Sequence, residues 1–264
     1  MNDYDKVRKM KRDILRAAHK AKEGHVASAF SVLDILYVLY GYILNVCPEM
    51  PKRNDRDYFI LSKGHASLAL YSILEEAGFL LPGELMTFCQ KDTRLGGHPC
   101  ESLVPGVEAS TGSLGHGLPM AVGLAMSMMK SKSSGLVFCV IGDGEMNEGS
   151  IWESLLLAGH HKLNNLRVIL DYNHSNDRAL KIPMVGRGAA DILGAMGWRV
   201  SSIDGHDHSQ IKYAFEPVID NRPLFVVANT LKGNGVNDMV ENPHAWHHRA
   251  PNDEELAKFL EELK

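Results

Sequence analysis

Residues 136–173 read LVFCVIGDGEMNEGSIWESLLLAGHHKLNNLRVILDYN, and this stretch decides the fold. LVFCVI (136–141) is a continuous apolar run of strand length, closed by the loop GDGEMNEG. A helix follows, roughly Ser150 to Lys162, and LRVIL (166–170) is a second apolar run of the same kind. Strands that are apolar on both faces and separated by a helix belong to a parallel sheet covered by helices on both sides. Toward the termini the same alternation recurs. YFIL (58–61), WRVSSI (198–203) and LFVVANT (224–230) read as further strands. Val7, Met10, Ile14, Leu15 and Ala18 repeat at helical spacing in a first helix that ends near Gly24, and Ser31 opens a second, apolar nearly all round. Helices are also expected over 67–77, 82–90, 120–129, 189–197, 209–220 and about 252–264, the last one solvated, and a loop over 94–117. The fold class expected is α/β: a doubly wound, mainly parallel sheet flanked by helices, as a single domain over 1–264.

Composition narrows the function. The 28 Lys+Arg nearly cancel the 32 Asp+Glu, for a net charge of -4, which argues against nucleic acid or an anionic membrane as partner. Cys47, Cys89, Cys100 and Cys139 form no CxxC pair, which fits reduced thiols in the cytoplasm. The amino terminus is charged and has no apolar signal-peptide core. The run Ile35 to Leu44 is about half of the roughly 20 residues needed to span a bilayer, so it reads as a core helix. What stands out is 24 Gly and 13 His: many tight turns, and a polar site that uses neutral donors at pH 7.

In an open parallel sheet, ligands bind beyond the carboxyl ends of the strands. The strand 136–141 ends in Gly142-Asp143-Gly144 and the strand 166–170 in Asp171-Tyr172-Asn173. The 29 residues between Asp143 and Asn173 are the length of one loop, one helix, one turn and one strand. On adjacent strands about 4.8 Å apart, the two side chains converge. Two hard oxygen donors, together with backbone carbonyls and phosphate oxygens, suit octahedral Mg²⁺. The flanking glycines let backbone N–H groups approach a diphosphate. Asp143 alone would read equally well as a helix cap; its pairing with Asn173 favours the ligand site.

GDG followed by 28 residues and Asn (142–173) resembles the thiamine diphosphate motif. EGH (23–25), LSKGHASLALY (61–71), GGHP (96–99), STGSLGHGL (110–118), GDGEMNEGSIWES (142–154) and IDGHD (203–207) occur in one order along the chain. That ordered set resembles the amino-terminal, diphosphate-binding half of the transketolases. The resemblance implies the thiamine diphosphate-binding fold, with Asp143, Asn173 and the Ser175 backbone carbonyl holding Mg²⁺, for which Ca²⁺ or Mn²⁺ can substitute. It implies that His65, Gly142, Gly144, Glu145 and His247 contact the cofactor, and that Gly112, Ser113 and Leu114 lie beside its pyrimidine and thiazolium. His25, His65, His98 and His247 resemble the family's catalytic histidines along the substrate channel. A neutral imidazole there can donate to a substrate hydroxyl and accept from the same group one step later. Glu148 and Glu153 resemble carboxylates at the family's subunit interface.

The activity implied is transfer of a two-carbon ketol unit from a ketose, phosphorylated or otherwise anionic, to an aldose, with nucleophilic catalysis by the cofactor. Complete transketolases are more than twice as long as this chain. The resemblance therefore implies a separate partner subunit that carries the pyrimidine-binding domain, an α2β2 assembly, and no activity of this chain alone. Three positions depart from the family pattern: NHSNDRALKI (173–182), with Asn176 and Arg178; His248, where glycine is usual; and Val26, where proline is usual. They point to a substrate outside the standard pentose phosphates. The alternatives are a subunit of another thiamine diphosphate enzyme of oxo-acid dehydrogenase type, or a non-catalytic assembly partner. The remaining histidines His160, His161, His206, His208 and His244 read as surface or structural groups, and GHDH (205–208) lacks a third ligand for zinc.

Overall fold

The computed structural model describes residues 2–175 and 189–264. Helix α1 (Asp3–Ala21) starts at a capping box made by Asn2 and Asp5, and buries the face that carries Val7, Met10, Ile14, Leu15 and Ala18. Helix α2 (Val26–Val38) is buried at every residue and runs on into a π-helical turn, Leu39–Ile43. It begins five residues before Ser31, the position expected to open it. Ser31 is no cap: its hydroxyl lies inside and donates to Asp171 Oδ2 at 2.6 Å. Val26–Ile43 is apolar and long enough to cross a membrane, yet 78% of it is buried within the fold.

The remaining elements are strand β1 (Tyr58–Leu61), α3 (Ser67–Glu76), α4 (Gly117–Ser131), β2 (Val137–Gly142), α5 (Gly149–His160), β3 (Leu166–Tyr172), α6 (Ala189–Ala195), β4 (Arg199–Asp204), α7 (His208–Ala214), β5 (Leu224–Asn229), α8 (Asn237–Glu241) and α9 (Asp253–Glu262). The segment 82–90, expected as a helix, contains only a 3₁₀ turn, Glu84–Thr87. All strand pairings are parallel, in the order β1-β2-β3-β5-β4. Alternate residues of each strand enter opposite cores, as a period of two requires. Phe138, Val140, Ile169, Val226 and Ala228 join α1, α2, α3 and α7. Val137, Cys139, Ile141, Val168, Leu170 and Phe225 join α4 and α5 on the other face. The four cysteines are free thiols.

Two features outside the sheet carry weight. The loop after β4 brings His206 and His208 onto Asp34 of α2, at 2.9 Å each, and Lys11 of α1 lies 3.7 Å from the same carboxylate. Among the described residues no group of three or more His, Cys, Asp or Glu is disposed to hold a metal, and both histidines of GHDH are hydrogen-bonded to Asp34. Helix α9, expected to be solvated, is packed: Phe259 and Leu263 are buried, and Arg12 of α1 donates to the Leu263 carbonyl at 2.7 Å. Phe259 also meets the Trp246 ring edge-on at 5.2 Å.

Candidate active site

Parallel register brings the strand ends level: Gly142 lies opposite Asp171, and Tyr172 opposite Asn229. The turns that leave β1, β2, β3 and β5 therefore meet around one cavity of about 280 Å³. β1 delivers Lys63 and His65, β2 delivers Asp143, β3 delivers Asn173 and Ser175, and the turn after β5 delivers Lys232. His25 and Ser28 come from the start of α2, and His98, Gly112 and Leu114 from the loop between α3 and α4.

Close backbone packing assembles this ring. A side chain on Gly64 would lie 2.6 Å from the Thr111 carbonyl carbon, so glycine lets the His65 turn sit directly on the Thr111–Gly112 backbone. Thr111 Oγ1 donates to the Leu61 carbonyl at 2.6 Å. Ser67 donates to the Gly97 carbonyl at 2.8 Å, and Tyr71 to the Gly96 carbonyl at 3.0 Å, which pins GGHP to α3.

The floor of the cavity is polar and densely hydrogen-bonded. Asp171 is fully buried and receives Ser31, Thr230 and the Lys63 ammonium. Burial pushes this carboxyl up, and the Lys63 charge and hydrogen bonds outweigh it, leaving it below the ordinary carboxylate range. Asn173 Nδ2 donates to Asp171 and to Ser31, at 3.1 Å each. With the amide nitrogen held there, Oδ1 points the other way and accepts the Ser175 N–H at 3.2 Å. Asp143 Oδ1 accepts the Gly144 N–H at 2.8 Å. A carboxylate, a carboxamide oxygen and an adjoining backbone carbonyl form an all-oxygen donor set that fits a hard divalent cation. Beside it, Lys63 and Lys232 place two cationic side chains on the cavity wall.

The opposite wall is imidazole. His25 lies 5.0 Å from His65 and 5.5 Å from His247 between ring centroids. Burial lowers the pKa of His25 to about 4, and it also moves His65 and His247 below the usual histidine value, so all three are neutral at pH 7. Their partners set the tautomers. His25 Nδ1 donates to the His247 carbonyl at 2.8 Å, which leaves Nε2 as an acceptor. Lys232 Nζ donates to His247 Nδ1 at 2.9 Å, which leaves Nε2–H as a donor. One wall thus presents a hydrogen-bond acceptor and a donor side by side.

Of the residues singled out from the sequence, His25, His65, His98, Gly112, Leu114, Gly142, Asp143, Gly144, Glu145, Asn173, Ser175 and His247 line the cavity. Ser113 does not, and its side chain is exposed. The Glu145 carboxylate is engaged elsewhere: Ser62 donates to it, as do the Gly115 N–H at 2.8 Å and the Gly142 N–H at 3.3 Å. It clasps the loops that carry Ser62, Gly115 and Gly142 together at the cavity edge. Glu148, just before α5, and Glu153 on its exposed side stand outside the cavity. Asn176 and Arg178 lie outside the described residues. Lys63, Asp171, Lys232, Ser28 and Thr230 were not singled out from the sequence. Lys63 sits inside LSKGHASLALY, where its neighbour His65 drew the reading, and Lys232 follows the last strand in TLKGNG with no motif to mark it.

A parallel α/β sheet whose carboxyl edge gathers a hard-cation donor set, two lysines and a bank of neutral histidines has the makings of a site for an anionic ligand held through a divalent cation. Comparison with known proteins makes this particular. The family model described as transketolase, thiamine diphosphate binding domain, matches residues 4–263. An apulose-4-phosphate transketolase subunit from Actinobacillus succinogenes is 38% identical over 99% of this chain and 97% of its own length. Human transketolase is 34% identical over 92% of this chain, which spans 39% of that protein. The crystal structure of transketolase from Campylobacter jejuni superposes with a TM-score of 0.90 at 32% identity, covering 100% of this chain and 43% of that one. The chain belongs to the transketolase family and corresponds to its thiamine diphosphate-binding domain.

Proposed function

We propose that this chain is the cofactor-binding subunit of a split transketolase that moves a two-carbon ketol unit from an anionic ketose to an aldose. The observation that carries this reading is the single cavity that joins the Asp143–Asn173–Ser175 donor set to the His25–His247 acceptor and donor pair. Asp143, Asn173 Oδ1 and the Ser175 carbonyl would hold Mg²⁺, and Lys232 would offset the diphosphate charge beside it. When bound, thiamine diphosphate supplies the nucleophilic carbon that carries the two-carbon unit between sugars. His25, with its open Nε2, accepts a proton from a substrate hydroxyl, while His247 Nε2–H donates to the neighbouring oxygen. His65 and His98 complete a polar wall for a polyhydroxylated substrate; an apolar oxo-acid would leave these groups without partners.

A separate subunit supplies the pyrimidine-binding domain, in an α2β2 assembly. Supporting this, the chain spans 97% of the Actinobacillus protein, itself named as one subunit of its enzyme, but only 39% of human transketolase. The sugar in the name of the Actinobacillus relative, apulose 4-phosphate, is the first donor to test, with ordinary pentulose phosphates as the comparison. Titration calorimetry of the reconstituted complex should show thiamine diphosphate binding that requires Mg²⁺, and Asp143→Asn should abolish it. Cofactor binding that is indifferent to both Mg²⁺ and Asp143→Asn would overturn the assignment. The chain assayed without its partner should form no product, and adding the partner should restore turnover.

A further inference from the structure

At the outer rim of the cavity, His248 stacks on His25 with ring centroids 4.4 Å apart and planes inclined by 29°. Its Nε2 is hydrogen-bonded to the Glu23 carboxylate. Glu23 precedes His25 by two residues, so one short stretch carries both the channel histidine and the group that fixes its neighbour. The backbone grips at the same place: His25 pairs with Arg249 in an isolated parallel bridge, and its Nδ1 donates to the His247 carbonyl. The His248 and Glu23 side chains are 53% and 42% exposed. A hydrogen-bonded pair that exposed adds little to stability, so support of the fold does not account for it. His248 lines an open cleft with His19, Lys22 and Arg249, while the His25 ring on which it stacks lines the first cavity.

We propose that Glu23 and His248 are positioning residues for His25, holding its ring in the Nδ1–H tautomer so that Nε2 presents a lone pair to the substrate. That the group met by this lone pair is a ketose hydroxyl rests on the transketolase reading; the seating of the ring rests on geometry alone. Without the stacked ring, His25 loses the face that blocks its rotation, and its Nδ1–H is no longer held on the His247 carbonyl. Water then reaches both nitrogens, and the competing Nε2–H tautomer becomes populated.

Long-range ¹H–¹⁵N NMR of the full chain reads the tautomer of each histidine directly. The wild-type chain should show His25 almost entirely as Nδ1–H. In H248A the Nε2–H share should rise by about fivefold or more, E23Q should give a smaller rise, and H248Y, which keeps an aromatic face and a hydroxyl for Glu23, should restore the wild-type spectrum. E23Q changes charge without changing volume and keeps the test open if H248A loses its fold. In the reconstituted complex, H248A should lower kcat by roughly tenfold while thiamine diphosphate affinity stays unchanged. A His25 tautomer population that is the same in wild type, H248A and E23Q overturns the proposal, whatever the substrate. A shifted tautomer with undiminished ketose turnover upholds the positioning of His25 and overturns its part in the transketolase reading.

Discussion

Lys232 illustrates how one side chain links electrostatics to ligand binding. Burial, reinforced by the Lys63 charge, lowers its pKa to about 8, so the ammonium that faces a diphosphate is lost as pH rises through that value. Only the protonated form neutralises phosphate. Thiamine diphosphate affinity should therefore fall between pH 7 and pH 9, and binding near pH 8 should take up protons, measurable by calorimetry in buffers of different ionisation enthalpy. Lys232→Met should remove the proton uptake and weaken binding by roughly tenfold. The His25 pKa of about 4 works in the opposite direction. Its folded value lies below the unfolded one, so its contribution to stability is complete above about pH 6.5 and is lost as pH falls toward 4.

Helices and loops transmit such effects because they meet at atomic contact. A side chain on Gly117, the first residue of α4, would lie 2.4 Å from Ser62 Oγ, the group that donates to Glu145. Gly117→Ala should therefore push apart the loops that leave β1 and β2. The expected result is a loss of about 1–3 kcal/mol in denaturant unfolding, with weakened cofactor binding in the same variant. The Asp34 network ties α1 and α2 to the loop after β4. Burial pushes the Asp34 carboxyl up, but hydrogen bonds from His206 and His208 and the nearby Lys11 outweigh it and hold the carboxyl well below the ordinary range. The stability this supplies is present above about pH 4 and lost as pH falls further. Asp34→Asn leaves Lys11 buried without its charge partner and should cost about 3 kcal/mol, a fall of roughly 10 °C in Tm. His206 Nε2 also accepts the Leu231 N–H at 2.9 Å, so the same substitution should loosen the turn that carries Lys232.

For the whole molecule, the surface left uncovered bears on assembly. Helices α4 and α5 expose Met120, Met126, Met129, Leu156 and Leu157, and Glu148, which precedes α5, and Glu153 within it are exposed as well. Scattered surface leucines need no explanation, but five large apolar side chains exposed on two contacting helices favour a protein partner. Leu157→Asp should abolish co-purification with the pyrimidine-domain subunit while leaving the circular dichroism of this chain unchanged. Retention of the complex in that variant would move the interface elsewhere.

The sequence alone determined the layers and the meeting of Asp143 with Asn173 at the strand ends. Continuous apolar strands separated by helices allow little besides a covered parallel sheet, and Asp143 and Asn173 must meet if their strands are neighbours. The family's motifs lie on short local turns, so their order along the chain was readable. Tertiary structure decided the rest, because it depends on contacts between residues far apart in sequence. Lys63 meets Asp171 across 108 positions and Lys11 meets Asp34 across α1 and α2, and no local pattern encodes either. Helix α2 starts at Val26 because burial against the sheet outweighs the capping preference of Ser31. Glu145 turns inward because two N–H groups and a hydroxyl wait for it there. The opposite tautomers of His25 and His247 follow from a carbonyl and a lysine that only the folded chain brings beside them.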